Sequence, residues 1–252
     1  MSWAHGLLLF VAGIGGGLAG SIAGLASVTT YPALLAVGLP PVAANVTNTV
    51  ALVFNGVGSM WGSRPELKGQ GPFLWKIVPL SALGGAVGAA LLLSTPAEGF
   101  EKLVPILIGF SAIAIVWPHK QQPPSGDKPR RRPAVLVAEG VATFAITVYG
   151  GYFGAAAGVL LLALLLRAGG ATLAHANASK NVILAAANLV AAVIFAVLSP
   201  VHWAAVAFLG AGCLLGSRLG PIVVRHAPAT PLRLLIGAAG LVLAVYLALD
   251  AY

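Results

Sequence analysis

The sequence predicts an all-α polytopic membrane protein made of two inverted repeats, each a broken or re-entrant helical segment followed by three transmembrane helices. Of its 252 residues 8% are charged and 59% are hydrophobic, whereas soluble domains carry about a quarter charged residues. Several apolar runs exceed the roughly 20 residues that a helix needs to cross a bilayer. They do not alternate as the strands of a transmembrane barrel would.

The apolar segments form two halves with the same plan. In the first half, a long segment interrupted by glycines is followed by three ordinary ones, at about 5–37, 42–62, 73–93 and 101–118. The second half repeats this order at about 134–166, 172–198, 201–217 and 231–249. We therefore predict an N-terminal repeat at 1–118, a basic cytoplasmic linker at 119–133 and a C-terminal repeat at 134–252.

Basic residues suggest how the segments cross the membrane, because cytoplasmic loops carry an excess of Lys and Arg. Eight simple crossings cannot bring all the basic loops to one side, but re-entrant long segments can. Each half then crosses three times, which inverts the halves, as in many secondary transporters. The basic residues in question lie after the second segment, in the linker and in the last loop: Arg64, Lys68, Lys76, Lys120, Lys128, Arg130, Arg131, Arg132, Arg218, Arg225 and Arg233.

A polar motif occurs once in each half, as Ala44–Val50 and again as Ala176–Val182. Polar side chains in membrane segments either hydrogen-bond neighbouring helices or face a polar pathway, and the recurrence favours a pathway. Thr47 and Ser179 lie opposite the main polar faces, so we expect them to bond their own helix or a neighbour. Helical spacing places the remaining polar residues on one face of each copy: Asn45, Asn48, Thr49 and Asn55, and Asn177, Lys180, Asn181 and Asn188.

Lys180 is the most distinctive residue of the second copy. It lies about eight residues into its segment, or roughly 12 Å along a helix axis, and that span contains no acidic residue. A buried cation among amides indicates a site for an anion. The alternative is that the helix starts later and that Lys180 lies at the membrane interface.

Glycines interrupt both long segments at corresponding places. They either allow close helix packing or mark a break that leaves a helix N-terminus, whose free N–H groups attract anions. Hydroxyls and proline after the first break suit a helix restart. The candidate hinge and restart residues are Gly20, Gly24, Ser27, Thr29, Tyr31 and Pro32 in the first half and Gly150, Tyr152 and Gly154 in the second.

Several function classes lack support in the sequence. There is no phosphate-binding loop, no Ser/His/Asp set and no HExxH motif, so we expect a protein that is not an enzyme and needs no cofactor. The histidines give no metal-binding pattern. Despite a net charge of +8, the basic residues sit in short loops, which argues against nucleic acid. Cys213, the one cysteine, is expected to be a small buried hydrophobe.

The order of these motifs resembles that of the TauE/SafE sulfite exporter family, also called the 4-toluene sulfonate uptake permease family. The resemblance covers nearly the whole chain, and the central basic linker separates its two copies. The chain departs from the family's glycine-rich hinge by carrying Leu25-Ala26-Ser27 and Ala155-Ala156-Ala157 in the two copies. The matching stretches of the first copy are Gly13–Gly24, Tyr31–Leu35, Gly38-Leu39-Pro40 and Ala44–Val50.

The resemblance implies a multi-pass protein of the bacterial inner membrane that moves sulfite, sulfoacetate or other organosulfonates. We expect alternating access driven by the substrate, a proton or a sodium gradient, in a monomer or a homodimer. The alternatives are an anion channel and a transporter of another small organic anion, such as a carboxylate. The predicted substrate-binding residues are Asn45, Asn48, Thr49, Asn177, Lys180, Asn181, Ser27 and Thr29. The predicted pathway or hinge residues are Gly20, Gly24, Tyr31, Pro32, Asn55, Gly150, Gly154, Tyr152 and Asn188.

Overall fold

The computed structural model describes residues 2–116, 133–167 and 172–226, together with Val245. Within these ranges the chain is helical and has no strand, which confirms the all-α class. The predicted linker except Pro133, and the predicted segment 231–249 except Val245, lie outside them. The helices are α1 Trp3–Ala23, α2 Ala26–Ala36, α3 Pro41–Gly62, α4 Arg64–Leu67, α5 Gly71–Ser94, α6 Ala97–Val116, α7 Pro133–Tyr152, α8 Ala157–Arg167, α9 Leu173–Leu198 and α10 Trp203–His226.

Five of the described helices are long and apolar enough to cross a membrane: α1, α5, α7, α9 and α10. Large apolar side chains cover their outer surfaces, among them Val137, which is 65% exposed, and Val197, which is 76% exposed. Soluble monomers rarely expose apolar surface this extensively. Trp61, Trp75 and Trp203 are exposed near helix ends, where interfacial tryptophans are expected. The chain is thus a multi-pass membrane protein, while the inverted orientation of its halves stays a prediction.

Predicted and observed segment ends agree within about two residues for most spans, but α10 is longer than expected. The predicted segment 201–217 continues as helix to His226, so Arg218 and Arg225 lie in α10 and not in a loop. The guanidinium of Arg218 stacks over the Trp61 ring, 4.2 Å from its centroid. This cation–π contact, together with the long stem of the arginine, lets a charged residue continue an otherwise apolar helix.

Both long segments are broken at the glycines that the sequence singles out. Gly24 ends α1 with a left-handed φ of +76°, and Gly154 follows α7 with a φ of +75°. Left-handed glycines commonly terminate helices because they lack a Cβ. In each segment a long helix packs against a short one of 11 residues, α2 or α8. The short helices extend about 16 Å, roughly half a bilayer, and the re-entrant topology stays a prediction.

The predicted halves interlock in the structure. α5, from the first half, packs against α7 and α9 of the second, while α10 packs against α1 and α3 of the first. α3 and α9 contact each other at the centre. Glycines allow these close approaches: a Cβ on Gly85 would lie 2.2 Å from the carbonyl oxygen of Ala187, and one on Gly13 would lie 2.3 Å from that of Leu209. Each half therefore completes the packing of the other.

The second break carries backbone strain that can be measured. Ala156 has a φ of +60°, and it is the one non-glycine residue with a positive φ in the described ranges. A Cβ in this conformation costs about 1–2 kcal/mol. Ala155 is equally buried but does not share the conformation. Both substitutions remove one methyl group and increase the conformational entropy of the unfolded chain by the same amount. Only Ala156→Gly also relieves the strain, so we expect it to be more stable than Ala155→Gly by about 1–2 kcal/mol.

Thermal unfolding of the two purified variants in detergent measures this difference directly. Equal melting temperatures would show that Ala156 is not strained.

Candidate functional site

A cavity lies where the two breaks meet at the centre of the protein. The breaks touch directly, since a Cβ added to Gly24 would lie 2.3 Å from the Cα of Gly158. The cavity contains about 550 Å³ not filled by protein atoms, including its opening. Its wall consists of Gly20, Gly24, Ala26, Ser27, Thr49, Leu52, Asn55, Gly56, Gly150, Phe153, Gly154, Ala157, Asn181, Leu184, Ala185 and Asn188.

Corresponding positions of the two halves face each other across this cavity. Aligning Ala44 with Ala176 makes Thr49 correspond to Asn181 and Gly56 to Asn188. Both members of these pairs line the cavity. So do the corresponding glycines of the two breaks, Gly20 with Gly150 and Gly24 with Gly154. The recurring motif and the recurring glycines thus contribute to one shared wall. Leu52 and Leu184, which also occupy corresponding positions, line the cavity as well.

The polar groups of the wall are neutral. The Oδ1 atom of Asn55 is buried and has no hydrogen-bond partner among the described residues, and the hydroxyl of Thr49 donates to the carbonyl of Asn45 at 3.0 Å. The first residues of α2, Ala26 and Ser27, and the first residue of α8, Ala157, also border the cavity. The N-terminal ends of both short helices therefore face it, and helix N-termini attract anions.

Two of the predicted amides lie outside the wall and connect the halves instead. Asn45 on α3 donates from Nδ2 to the carbonyl oxygen of Tyr152, the last residue of α7, at 2.8 Å. Asn177, its counterpart on α9, donates from Nδ2 to the carbonyl oxygen of Ser21 in the last turn of α1 at 2.9 Å. The last carbonyls of a helix have no partner within it. Each motif thus caps the broken helix of the opposite half.

Lys180 and Asn48 occupy corresponding positions but make different contacts. Lys180 is fully buried, and its Nζ donates to the carbonyl oxygens of Gly20, at 3.1 Å, and Ser21, at 3.4 Å. Asn48 accepts a hydrogen bond from Thr30 and donates one to Ser27, both on α2. Lys180 therefore lies neither at an exposed interface nor in the cavity wall. The C-terminal end of α1 holds its ammonium group, because the aligned peptide dipoles of a helix give that end a partial negative charge.

The remaining predicted residues pack around the cavity without lining it. Tyr31 is buried edge-on against Phe153, with ring centroids 5.2 Å apart, and Tyr152 packs against Phe100. Thr29 bonds the carbonyl of Ala26 within α2, and Pro32 also lies inside α2. Of this aromatic group only Phe153 reaches the wall. Phe153 was not predicted as a site residue. Its place in the sequence, between Tyr152 and Gly154 of the second break, is the one signal that could have identified it.

The hydroxyls on the opposite faces of the motif bond neighbouring segments, as predicted. The Ser179 hydroxyl donates to Oε1 of Gln70, and Thr47 accepts a hydrogen bond from the backbone N–H of His202 at 3.1 Å. Gln70 precedes α5 and His202 precedes α10, so these contacts also run between the halves. Neither partner had a recognisable signal in the sequence.

Other reactive groups do not assemble into a site. Cys213 is fully buried in α10, as expected for a small hydrophobe. Across 2–116, 133–167 and 172–226, no three His, Cys, Asp or Glu side chains come close enough to hold a metal ion.

Comparison with known proteins connects this architecture to membrane transport. The chain is 29% identical to the probable membrane transporter protein YfcA of Escherichia coli (strain K12) over 225 residues, covering 87% of this chain and 80% of that protein. It is 29% identical to a probable membrane transporter protein of Haemophilus influenzae, covering 90% and 88%. It is 30% identical to the probable membrane transporter protein ORF9 of Sinorhizobium sp, covering 84% and 80%. No solved structure matches the chain.

The family model described as "Sulfite exporter TauE/SafE" matches residues 9–247, almost the entire sequence. This match confirms the resemblance drawn from the glycine-rich segments and the repeated polar motif, and it agrees with the expectation that the protein is not an enzyme. The chain belongs to the TauE/SafE sulfite exporter family of membrane transporters.

Proposed function

We propose that the protein is a secondary transporter of small sulfur-containing oxyanions, such as sulfite and organosulfonates, in the bacterial inner membrane. One observation carries the proposal: the N-terminal ends of α2 and α8 converge on a cavity whose polar side chains are all neutral. The family's description as a sulfite exporter supports the substrate class.

The chemistry of the wall fits an oxyanion. The amide groups of Asn55, Asn181 and Asn188 and the hydroxyl of Ser27 can donate hydrogen bonds to oxygens that point in several directions. The Thr49 hydroxyl can join them by exchanging its bond to the Asn45 carbonyl for one to the anion. Among the residues that the structure describes, no acidic side chain lines the cavity to repel an anion. Hydrogen bonds to a charged group contribute about 1.5–3 kcal/mol each, so a few of them offset part of the cost of removing a small anion from water.

Alternating access requires parts that move relative to each other, and the breaks provide them. We propose that 1–118 and 134–252 act as inverted repeats joined by the linker 119–133, with Gly24 and Gly154 as hinges. The driving force is the gradient of the substrate or of a coupled ion.

The substrate class can be tested on purified protein by thermal shift. Sulfite, sulfate, thiosulfate, taurine and sulfoacetate are compared with carboxylates of similar size at constant ionic strength. We expect at least one sulfur oxyanion to raise the melting temperature, since a ligand that binds only the folded state stabilises it. Stabilisation by carboxylates alone would contradict the proposed substrate. Saturable uptake with counterflow in proteoliposomes distinguishes a transporter from a channel.

The cavity amides should determine the affinity for the anion. We expect Asn55→Leu and Asn188→Leu each to raise the KM for the stabilising anion about tenfold or more, because each removes a donor to a charged ligand. Uptake into proteoliposomes over a range of anion concentrations measures this effect. Thr143→Val is the control, because this buried hydroxyl lies outside the cavity and bonds the carbonyl of Glu139 in its own helix. An equal rise in the KM of the control would show that the effect is not specific to the cavity and would contradict its role in binding the anion.

A further inference from the structure

Lys180 has unusual surroundings for a charged residue. Among the charged side chains whose burial the structure describes, it alone is buried. Its ammonium contacts the carbonyl oxygens of Gly20, at 3.1 Å, and Ser21, at 3.4 Å. A buried charge is costly unless it is compensated. The compensation here comes from the end of a helix.

The two carbonyls belong to a broken helix. α1 ends three residues after Gly20, beside the left-handed Gly24, so these oxygens lie at the negative end of its dipole. Asn177 and Asn181 donate to the carbonyl of Ser21 as well. In secondary transporters, the C-terminal ends of broken helices and nearby carbonyls commonly coordinate a sodium ion. Here the end of the helix is occupied by an ammonium that the chain itself supplies.

The break of the other half has no such cation among its described contacts. The last carbonyl of α7, on Tyr152, receives only the neutral amide of Asn45 from a side chain, and Asn48 occupies the position that corresponds to Lys180. Asn48 bonds α2 instead. The positive charge is therefore specific to the α1 break. It also lies directly behind the cavity, because Gly20 and Asn181 belong to the wall.

We propose that Lys180 is a tethered cation: it fills a monovalent-cation site formed by the carbonyl oxygens of Gly20 and Ser21, so that transport needs no bound sodium ion. The ammonium holds the α1 break in shape and adds positive potential behind the cavity. The sodium-independence of transport rests on the proposed function. The cation site does not, because it can be tested by folding alone.

Folding tests the site without any anion substrate. Lys180→Ala removes the ammonium and leaves space beside the two carbonyls, whereas Lys180→Met removes the charge and fills the space. Each variant is purified and melted in sodium chloride, methylammonium chloride or choline chloride at equal ionic strength. We expect methylammonium or sodium to raise the melting temperature of Lys180→Ala relative to choline, and to leave Lys180→Met and the wild type unchanged. Failure of every small cation to stabilise or restore folded Lys180→Ala would overturn the proposed site.

Transport tests the second part of the inference. Wild-type uptake of sulfite into proteoliposomes should be equal in sodium and choline media, and Lys180→Arg should retain most of it. Lys180→Ala should lose about tenfold or more in choline and regain part of that activity in methylammonium or sodium. Sodium-dependent uptake by the wild type would overturn the inference. Absence of sulfite uptake by the wild type in all media would count against the proposed substrate. It would not affect the evidence for the cation site from the melting temperatures.

Discussion

Gly24→Ala is expected to abolish transport and to destabilise the fold by about 2–5 kcal/mol. Two costs combine in this change. The left-handed φ of +76° makes any Cβ unfavourable, by about 1–2 kcal/mol. The new Cβ would also lie 2.3 Å from the Cα of Gly158, and inserting atoms into a packed contact typically costs about 1–3 kcal/mol. The backbones of the two breaks would have to separate, which would reshape the cavity between them.

Two further glycines separate these costs. Gly38 has a similar φ of +88° but open space around it, so Gly38→Ala should show only the conformational cost of about 1–2 kcal/mol. Gly158 has no positive φ, and its Cβ would meet the same contact from the other side. Gly158→Ala should therefore lose transport through the contact alone.

Melting temperature in detergent and uptake in proteoliposomes are measured for all three variants. If Gly24→Ala behaves like Gly38→Ala in both assays, the contact between the breaks is not required.

The breaks could be predicted from the sequence because they have a local cause. Gly24 and Gly154 stand in apolar segments too long for one straight span, and a glycine that adopts a left-handed φ ends a helix without help from distant residues. The helical class followed in the same way from the length and composition of the apolar runs. These features depend on neighbouring residues only.

The roles within the polar stripe could be predicted only in part. Periodicity places residues on a face of a helix, but it does not say what each turn of that face meets. Thr49, Asn55, Asn181 and Asn188 do line the cavity. One turn earlier the same stripe meets the ends of broken helices, where Asn177 and its neighbours bind carbonyls that need donors. Those carbonyls lie more than 100 residues away in the chain, and no local pattern marks them.

The exchange of caps between the halves leads to an asymmetric prediction. Asn45→Leu should destabilise the protein by about 1–3 kcal/mol, the cost of leaving a buried acceptor without a partner. Within the described part of the chain, the carbonyl oxygen of Tyr152 accepts no hydrogen bond besides that from Asn45. Asn177→Leu should cost less, below about 1 kcal/mol, because Lys180 and Asn181 also donate to the carbonyl of Ser21.

The comparison between these two variants is well matched. Leucine has the same branched arrangement of four side-chain heavy atoms as asparagine, and in both variants it also replaces a buried Oδ1 atom that has no hydrogen-bond partner in the described structure. Removing this unpaired oxygen stabilises both variants alike, so it does not change the difference between their free energies of unfolding. Ser59→Ala on α3 is the control, since its hydroxyl bonds only carbonyls of its own helix. Thermal unfolding of the three variants should rank Asn45→Leu as the least stable. If Asn177→Leu is equally or more destabilised, then the hydrogen bonds from Lys180 and Asn181 do not compensate for the loss of Asn177. The end of α1 would then depend on a single amide, as the end of α7 does.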